Sequence, residues 1–255
     1  MVSLERVYAN YLCRKYVVVS KFSLDDAIAK FLNLTKQSIS TCDNFIEIEE
    51  LNKFCEETKA LYYRPKFGFL GKIQIIKDFC QKHRMVFIED FTENFSANKI
   101  IDGKSWYAGM FGDISVCVKD NVFFYATDDE KLVDFLCGVA IPIEDAMKKK
   151  LIDTLFEVEA EKRRRRIVVA NYVALFAYTG LSHFLKPIDE DEGETASYPV
   201  FAVTLEKASE LCQYLTQNDL QITSCNNLLS LPTDITEDEL KDVIDLISKF
   251  YMEEF

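Results

Sequence analysis

The sequence has little of the residues that the common cofactor and metal sites use. Glycine accounts for only 8 of 255 residues and histidine for 2, and neither GxGxxG nor GxxxxGK[ST] occurs. Glycine allows backbone N–H groups to approach a phosphate closely, so its scarcity counts against a glycine-rich phosphate cradle. The eight cysteines are scattered, with no pair at metal-ligand spacing. We therefore predict no metal site and no Cys/His nucleophile.

Long apolar runs and a positive net charge are also missing. No stretch approaches the roughly 18 apolar residues of a membrane span, and the N-terminus lacks the layout of a signal peptide. The formal net charge is −12, which would repel a phosphate backbone. The basic run 162–166 is short and follows three glutamates, as expected for a solvated helix face of mixed charge. We expect a cytoplasmic protein that binds neither nucleic acid nor a membrane.

Strand and helix patterns alternate along the first half of the chain. The segments KYVVVS, TKALYYR and RMVFIED are typical of buried strands, whereas LGKIQIIKDFCQKH and IEIEELNKFCEETK have helical spacing. This alternation predicts a parallel α/β sheet, at whose carboxyl edge ligands gather and where Glu89 and Asp90 would lie. SLDDAIAKFL predicts a helix with Ser23 as N-cap and Asp26 completing a capping box. Between Leu34 and Ile46 we predict neither a strand nor a helix.

The second half begins with a short hairpin. DISVCVKDNVFFYATDD predicts two strands with Lys119 in an exposed turn between them. Residues 143–178 predict a long helix, either broken or forming a spine, and the acidic segment 187–199 an exposed loop. The tail predicts strands at VFAVTL and LQITSC, with a helix between them. It ends in a helix whose capping box is formed by Thr236 and Glu239.

Several segments, in this order, resemble one family. TKALYYRPKFGFLGKIQIIKDFCQKHRMVFIEDFTENFSA and IIDGKSWYAGMFGDISV carry most of the resemblance, and LERVYANYLCRKYVVVS and NLLSLPTDITEDELKDVIDLISKFY extend it to both ends. Together they resemble the PLP-dependent nucleotide-sugar aminotransferases, the DegT-type branch of fold type I.

The resemblance implies an α/β fold of the PLP-transferase type, that is, aspartate aminotransferase fold type I. The large domain, at 1–142, would have a mostly parallel central sheet and a reduced size. A helical spine at 143–180 and a small C-terminal α+β domain at 181–255 would follow.

The resemblance also implies site residues. The family uses a lysine as Schiff base, an aspartate on the pyridine nitrogen and a helix start for the phosphate. Asp90 matches the aspartate, and Glu93 stands where a glutamine or histidine is usual, so its charge would repel the cofactor's phenolate oxygen. Ser23 lies at the phosphate segment, which has no glycine here. Lys119 is the one nearby lysine and precedes the expected position by several residues.

Three hypotheses follow. The loops that would carry cofactor and substrate are shortened, so we favour a catalytically inactive aminotransferase-like protein without PLP. It would act as a binding or dimerisation partner, in a homodimer or in a heterodimer with an active paralogue. The alternative is an active PLP-dependent aminotransferase on a keto sugar nucleotide, using Lys119, Asp90 and Ser23. In the third, the resemblance is coincidental and Asp90 with Glu93 forms a metal site or an acid/base pair.

Overall fold

The computed structural model describes residues 3–54 and 58–252. Contacts divide the chain into two units, and the division falls inside a long helix. The first unit comprises Met1–Val158 and Glu192–Ala196, and the second comprises Glu159–Asp191 and Ser197–Phe255. The three predicted domains, at 1–142, 143–180 and 181–255, have other boundaries and remain a proposal.

The secondary structure alternates as predicted for most of the first half. The strands are β1 (Tyr16–Ser20), β2 (Ile39–Cys42), β3 (Ala60–Tyr63), β4 (Val86–Asp90), β5 (Asn98–Ile101), β6 (Lys104–Tyr107), β7 (Ile114–Lys119), β8 (Val122–Thr127), β9 (Lys186–Pro187), β10 (Glu194–Thr195), β11 (Val200–Thr204), β12 (Thr223–Cys225) and β13 (Leu228–Pro232). The α-helices are α1 (Leu4–Tyr11), α2 (Asp25–Phe31), α3 (Ile48–Leu51), α4 (Ile73–His83), α5 (Glu130–Cys137), α6 (Asp145–Thr179), α7 (Ala208–Gln217) and α8 (Glu237–Met252).

A six-stranded, mostly parallel sheet forms the centre of the first unit. Its strand order is β1-β8-β7-β4-β3-β2. Strands β7, β4, β3 and β2 are mutually parallel, and β8 is antiparallel to both β7 and β1. This confirms the predicted α/β class with a mostly parallel central sheet. A smaller sheet of order β10-β5-β6 belongs to the same unit.

The two faces of the central sheet pack into separate clusters. On one face, Tyr8 of α1 stacks on Phe124 of β8 with ring centroids 4.4 Å apart, in a cluster that also includes Phe87. On the other face, Ile88 and Val116 pack with helices α2 and α5. Neighbouring residues of one strand thus point to opposite faces, as the pleat requires. Burying such a side chain stabilises the fold by roughly 1.5–3 kcal/mol.

Three predictions about the first unit were wrong. Strand β2 does lie between Leu34 and Ile46, and the sequence concealed it because the polar Ser40 and Thr41 occupy its centre. The helix predicted for IEIEELNKFCEETK is shorter, since α3 passes into a 3₁₀ turn at Asn52–Phe54; residues 55–57 lie outside the described residues. The acidic segment 187–199 is not wholly exposed, because Glu194 is buried.

The β7–β8 hairpin is confirmed, but its turn is one residue further on than predicted. Asp120 and Asn121 form the turn, with φ values of 51° and 59°, as in a type I′ hairpin. Lys119 is therefore the last residue of β7, where it pairs with Val122, and it is half-buried. Its predicted exposed position within the turn was wrong.

The second unit contains an antiparallel sheet of order β12-β13-β11-β9 together with α7, α8 and the end of α6. The capping box of α8 is confirmed: the Glu239 N–H donates to the Thr236 hydroxyl at 3.3 Å, and the Thr236 N–H donates to the Glu239 carboxylate at 2.7 Å. The region predicted as a helical spine is one unbroken helix of 35 residues, α6. Within the described ranges 3–54 and 58–252, no helix is both long and apolar enough to cross a membrane.

Candidate functional site

The four predicted site residues lie at one edge of the central sheet. Strands β1, β4 and β7 run in the same direction, so their carboxyl ends meet there. Asp90 ends β4, Lys119 ends β7, Ser23 follows β1 and Glu93 follows β4. This is the edge at which open parallel sheets bind ligands. The strand order therefore brings three separate parts of the sequence to this edge: Ser23, the pair Asp90 and Glu93, and Lys119.

Both oxygens of the Asp90 carboxylate have partners within the chain. Oδ2 accepts a hydrogen bond from the Tyr62 hydroxyl at 2.9 Å and lies 3.4 Å from the Arg64 guanidinium. Oδ1 accepts from the Thr92 hydroxyl at 2.6 Å and from the Thr92 N–H at 3.0 Å. Burial raises the pKa of Tyr62, and the neighbouring Asp90 charge adds to the effect. The carboxylate is held by a neutral phenol, a hydroxyl and one cation.

Glu93 belongs to the same polar group. Its carboxylate lies 3.8 Å from Arg64 and accepts a hydrogen bond from the Phe67 N–H at 3.4 Å. Arg64 therefore lies between Asp90 and Glu93 and offsets their mutual repulsion. Among the described residues, no group of three or more His, Cys, Asp or Glu side chains could hold a metal ion. The described residues therefore supply no third ligand for the hypothetical metal site at Asp90 and Glu93.

The start of α2, where the resemblance places the phosphate, is occupied by side chains of this chain. The N–H of Leu24, the N-cap residue, donates to the Tyr125 hydroxyl at 2.7 Å. That hydroxyl donates in turn to Asp25 at 3.2 Å. Ser23 accepts from the Asp25 N–H at 3.1 Å and lies 3.4 Å from the Tyr125 hydroxyl. Burial raises the pKa of Tyr125 to about 12, so the hydroxyl is neutral.

The helix start itself differs from the prediction. Leu24, not Ser23, is the N-cap residue, and no side chain caps α2, so the predicted capping box of Ser23 with Asp26 is wrong. The first turn carries both Asp25 and Asp26. Their charges interact favourably with the positive end of the helix dipole. A phosphate at this position would meet two carboxylates.

Lys119 and Asp90 point to opposite faces of the sheet. In the pairing of β4 with β7, Asp90 lies opposite Val116, whose side chain packs on the α2 face. Lys119 is three residues further along β7, and side chains alternate between the two faces of a strand. Lys119 therefore points to the opposite face, on which α1 packs. There its Nζ lies 4.7 Å from the centre of the Phe95 ring, a cation–π geometry. The lysine and the aspartate do not face a common space.

These contacts do not fit PLP held in the way that the resemblance implies. The Leu24 N–H already has a partner, the α2 turn carries two acids, and Lys119 lies across the sheet from Asp90. Asp90 is at the expected strand end, although Tyr62, Thr92 and Arg64 surround its carboxylate.

Sequence reasoning missed the role of Glu89. Its carboxylate is fully buried and accepts from the N–H groups of Gly109, Phe111 and Gly112 at 2.6, 2.9 and 2.9 Å. Burial raises the pKa of Glu89, and these hydrogen bonds and the nearby Arg14 oppose the rise. Strand alternation could have shown that adjacent acids at a strand end point to opposite faces. Only one of the pair can then belong to a given site.

Comparison with known proteins establishes the fold. No family model matches the sequence, and the comparison with curated proteins found no match. Among solved structures, the aminotransferase TlmJ from Streptoalloteichus hindustanus has a TM-score of 0.79 at 15% identity, covering 99% of this chain and 90% of that chain. A DegT DnrJ EryC1 StrS aminotransferase from Brucella abortus has a TM-score of 0.75 at 13% identity. The match covers 97% of this chain and 89% of that chain.

A third neighbour is PseC from Helicobacter pylori, described as an aminotransferase involved in the biosynthesis of pseudoaminic acid. Its TM-score is 0.74 at 12% identity, covering 99% of this chain and 91% of that chain. The structural neighbours are thus sugar aminotransferases of the DegT type. The predicted resemblance is confirmed at the level of the fold.

Proposed function

We propose that this chain is an aminotransferase-fold protein that carries out no PLP-dependent transamination and acts in the cytoplasm as an association partner. The observation that carries the proposal is the Tyr125 hydroxyl on the Leu24 N–H. In an anion site at a helix start, that N–H group would point at the phosphate. In this chain the Tyr125 hydroxyl occupies the position that the phosphate would take, and Asp25 beside it adds a negative charge.

The position of Lys119 supports the same proposal. A Schiff-base lysine must reach the cofactor from the side on which the aspartate holds the pyridine ring. The pleat directs Lys119 to the other face, and the Phe95 ring holds its ammonium group there. Its strand pairing with Val122 further limits how far the backbone can turn toward Asp90.

The first test is covalent trapping of PLP. We expect that the full chain, incubated with PLP and reduced with borohydride, shows no more cofactor on Lys119 than on the exposed Lys131 by peptide mass mapping. The Lys119→Ala variant should incorporate as much cofactor as the wild type. Lys131→Ala is the matched control for labelling of surface amines.

The opposite result would support the alternative. Stoichiometric labelling of Lys119 that disappears in Lys119→Ala would contradict an inactive site. It would instead favour an active PLP-dependent aminotransferase on a keto sugar nucleotide, for which the place of Asp90 at the end of β4 is the supporting observation. A trapped adduct would then justify assays with amino donors and keto sugar nucleotides.

The association role has a separate test. We expect light scattering over a dilution series to give twice the mass of one chain, as in a homodimer. If the chain is monomeric, we expect it to form a complex when mixed with an active sugar aminotransferase from the same cell. A monomer that forms neither species at micromolar concentration would contradict this role, whatever the outcome of the PLP test.

A further inference from the structure

Strand β1 is an outer strand of the central sheet, and its sequence does not protect its edge. It ends the strand order, and among residues 3–54 and 58–252 its one strand partner is β8. Its five residues, YVVVS, contain no proline, glycine or charge. Outer strands usually carry such residues or a bulge, because a bare edge can pair with another strand.

The direction of the free backbone groups follows from one hydrogen bond. The N–H of Lys21 donates to the Ile141 carbonyl at 2.9 Å, away from β8. Backbone groups of a strand alternate sides with a period of two, so the N–H and C=O of Val17 and Val19 also point away from β8. Within residues 3–54 and 58–252, neither residue has a backbone hydrogen bond outside its strand pairing. Four ladder groups therefore face outward.

A groove runs along this edge. It has a volume of about 340 Å³ and its floor includes Val17, Val18 and Val19. Ile143, on one wall, packs into the cluster of the α1 face, and Ala140, on the other, packs into that of the α2 face. The edge is thus recessed between two walls. A single extended segment can enter, whereas a second copy of β1, recessed in the same way, cannot reach it.

The charges at the groove favour a basic segment. Glu5 and Lys148 are the charged side chains that line it. The Lys148 ammonium lies 3.0 Å from Asp145 and is already paired. Glu5 makes no ion pair within the described ranges. A lysine or arginine on the incoming segment would complement this carboxylate.

We propose that the β1 edge binds an extended peptide segment of a partner protein, with β-branched apolar side chains and a flanking lysine or arginine. The segment adds as a strand, and its backbone pairs with the outward N–H and C=O groups of Val17 and Val19. The walls of the groove contact its side chains. This proposal does not depend on the proposal about PLP, because Lys119 does not line the groove. Either result of the PLP-trapping experiment leaves the predicted peptide binding unchanged.

Cys137 provides a direct readout, since it is exposed and lines the groove. The probe is the heptapeptide Lys-Tyr-Val-Val-Val-Ser-Lys, which is extended, β-branched and basic at both ends. At about ten times its Kd, it should slow alkylation of Cys137 by iodoacetamide about tenfold. Cys225, exposed in the second unit, should react at an unchanged rate. The same peptide with proline as its central residue should give no protection.

Two pairs of variants separate backbone pairing from unspecific binding. Val19→Pro removes an outward N–H and should abolish protection, whereas Val19→Ala keeps the N–H and should retain it. Ala140→Arg narrows the groove and should abolish protection, whereas Val139→Arg changes a neighbouring residue that does not line it. Each variant is compared with itself without probe, after circular dichroism has confirmed that it is folded.

Several results would overturn the proposal. These are the absence of protection at saturating probe, equal protection by the proline-containing peptide, or full protection in Ala140→Arg. If Val19→Pro fails to fold, the Ala140→Arg and Val139→Arg pair decides alone. A further contradictory result would be that Cys137 becomes more protected as the protein concentration rises, with no probe present. That result would mean that a second copy of the chain occupies the edge.

Discussion

Replacing Glu89 with alanine is expected to lower the free energy of unfolding by about 3–5 kcal/mol. The substitution leaves the N–H groups of Gly109, Phe111 and Gly112 buried without their acceptor. It also removes the negative charge next to the Arg14 guanidinium, which donates to the Gly109 carbonyl at 3.1 Å. Arg14 keeps its ion pair with Asp128 at 3.1 Å, so the main cost comes from the three N–H groups, each of which costs about 1–3 kcal/mol when it is buried without an acceptor.

Urea unfolding followed by tryptophan fluorescence measures this effect close to its origin. The chain has one tryptophan, Trp106, whose ring lies 5.7 Å from that of Phe111. The control is Glu93→Ala, which removes a half-exposed carboxylate with long contacts and should cost at most about 1 kcal/mol. Equal destabilisation by the two substitutions would show that the Glu89 contacts contribute no more than a surface acid.

Glu89 and Asp90 are adjacent at the end of β4 but have different roles. Glu89 holds the Gly109–Gly112 turn that leads into β7, and Asp90 belongs to the polar group with Tyr62 and Arg64. The acid that the sequence favoured as a site residue lies where expected. The structural role of the other acid depends on a turn some twenty residues later, which the sequence order alone does not place.

The strands of the first unit could be predicted because their apolar runs are long and bounded by polar residues. Strands β1 and β4, within KYVVVS and RMVFIED, each bury every residue but the first, and the β7–β8 hairpin is defined by two adjacent apolar runs and the short turn between them. The capping box of α8 was also predictable, because its two members, Thr236 and Glu239, are three residues apart. Local signals of this kind do not depend on the rest of the chain.

The details that decide the candidate site could not be predicted, because they depend on distant contacts. Tyr125 reaches the start of α2 from a strand one hundred residues away and binds the N–H of Leu24, which caps the helix in place of the predicted Ser23. Glu194 is buried because the N–H groups of Leu70 and Gly71 bind its carboxylate. Polar residues at these positions look like turns and loops until the fold provides their partners.

A second large effect is expected in the second unit. Tyr172→Ala should lower the free energy of unfolding by about 3–5 kcal/mol. The Tyr172 ring is fully buried and stacks on Phe201 of β11 with centroids 5.2 Å apart. Its hydroxyl donates to the Pro232 carbonyl at the end of β13 at 3.1 Å. This one side chain therefore connects α6 to two neighbouring strands, and alanine would leave a cavity among all three elements.

Two controls divide that effect into its parts, all measured by urea unfolding with far-ultraviolet circular dichroism. Tyr172→Phe removes only the hydroxyl and should cost about 0.5–1.5 kcal/mol. Tyr178→Ala truncates a tyrosine of the same helix that is 89% exposed, and it should change stability by no more than about 0.5 kcal/mol. If Tyr172→Ala cost no more than Tyr178→Ala, packing of α6 on β11 and β13 would not be what stabilises the second unit. The aminotransferase fold would then depend there on the contacts of α7 and α8 with the sheet.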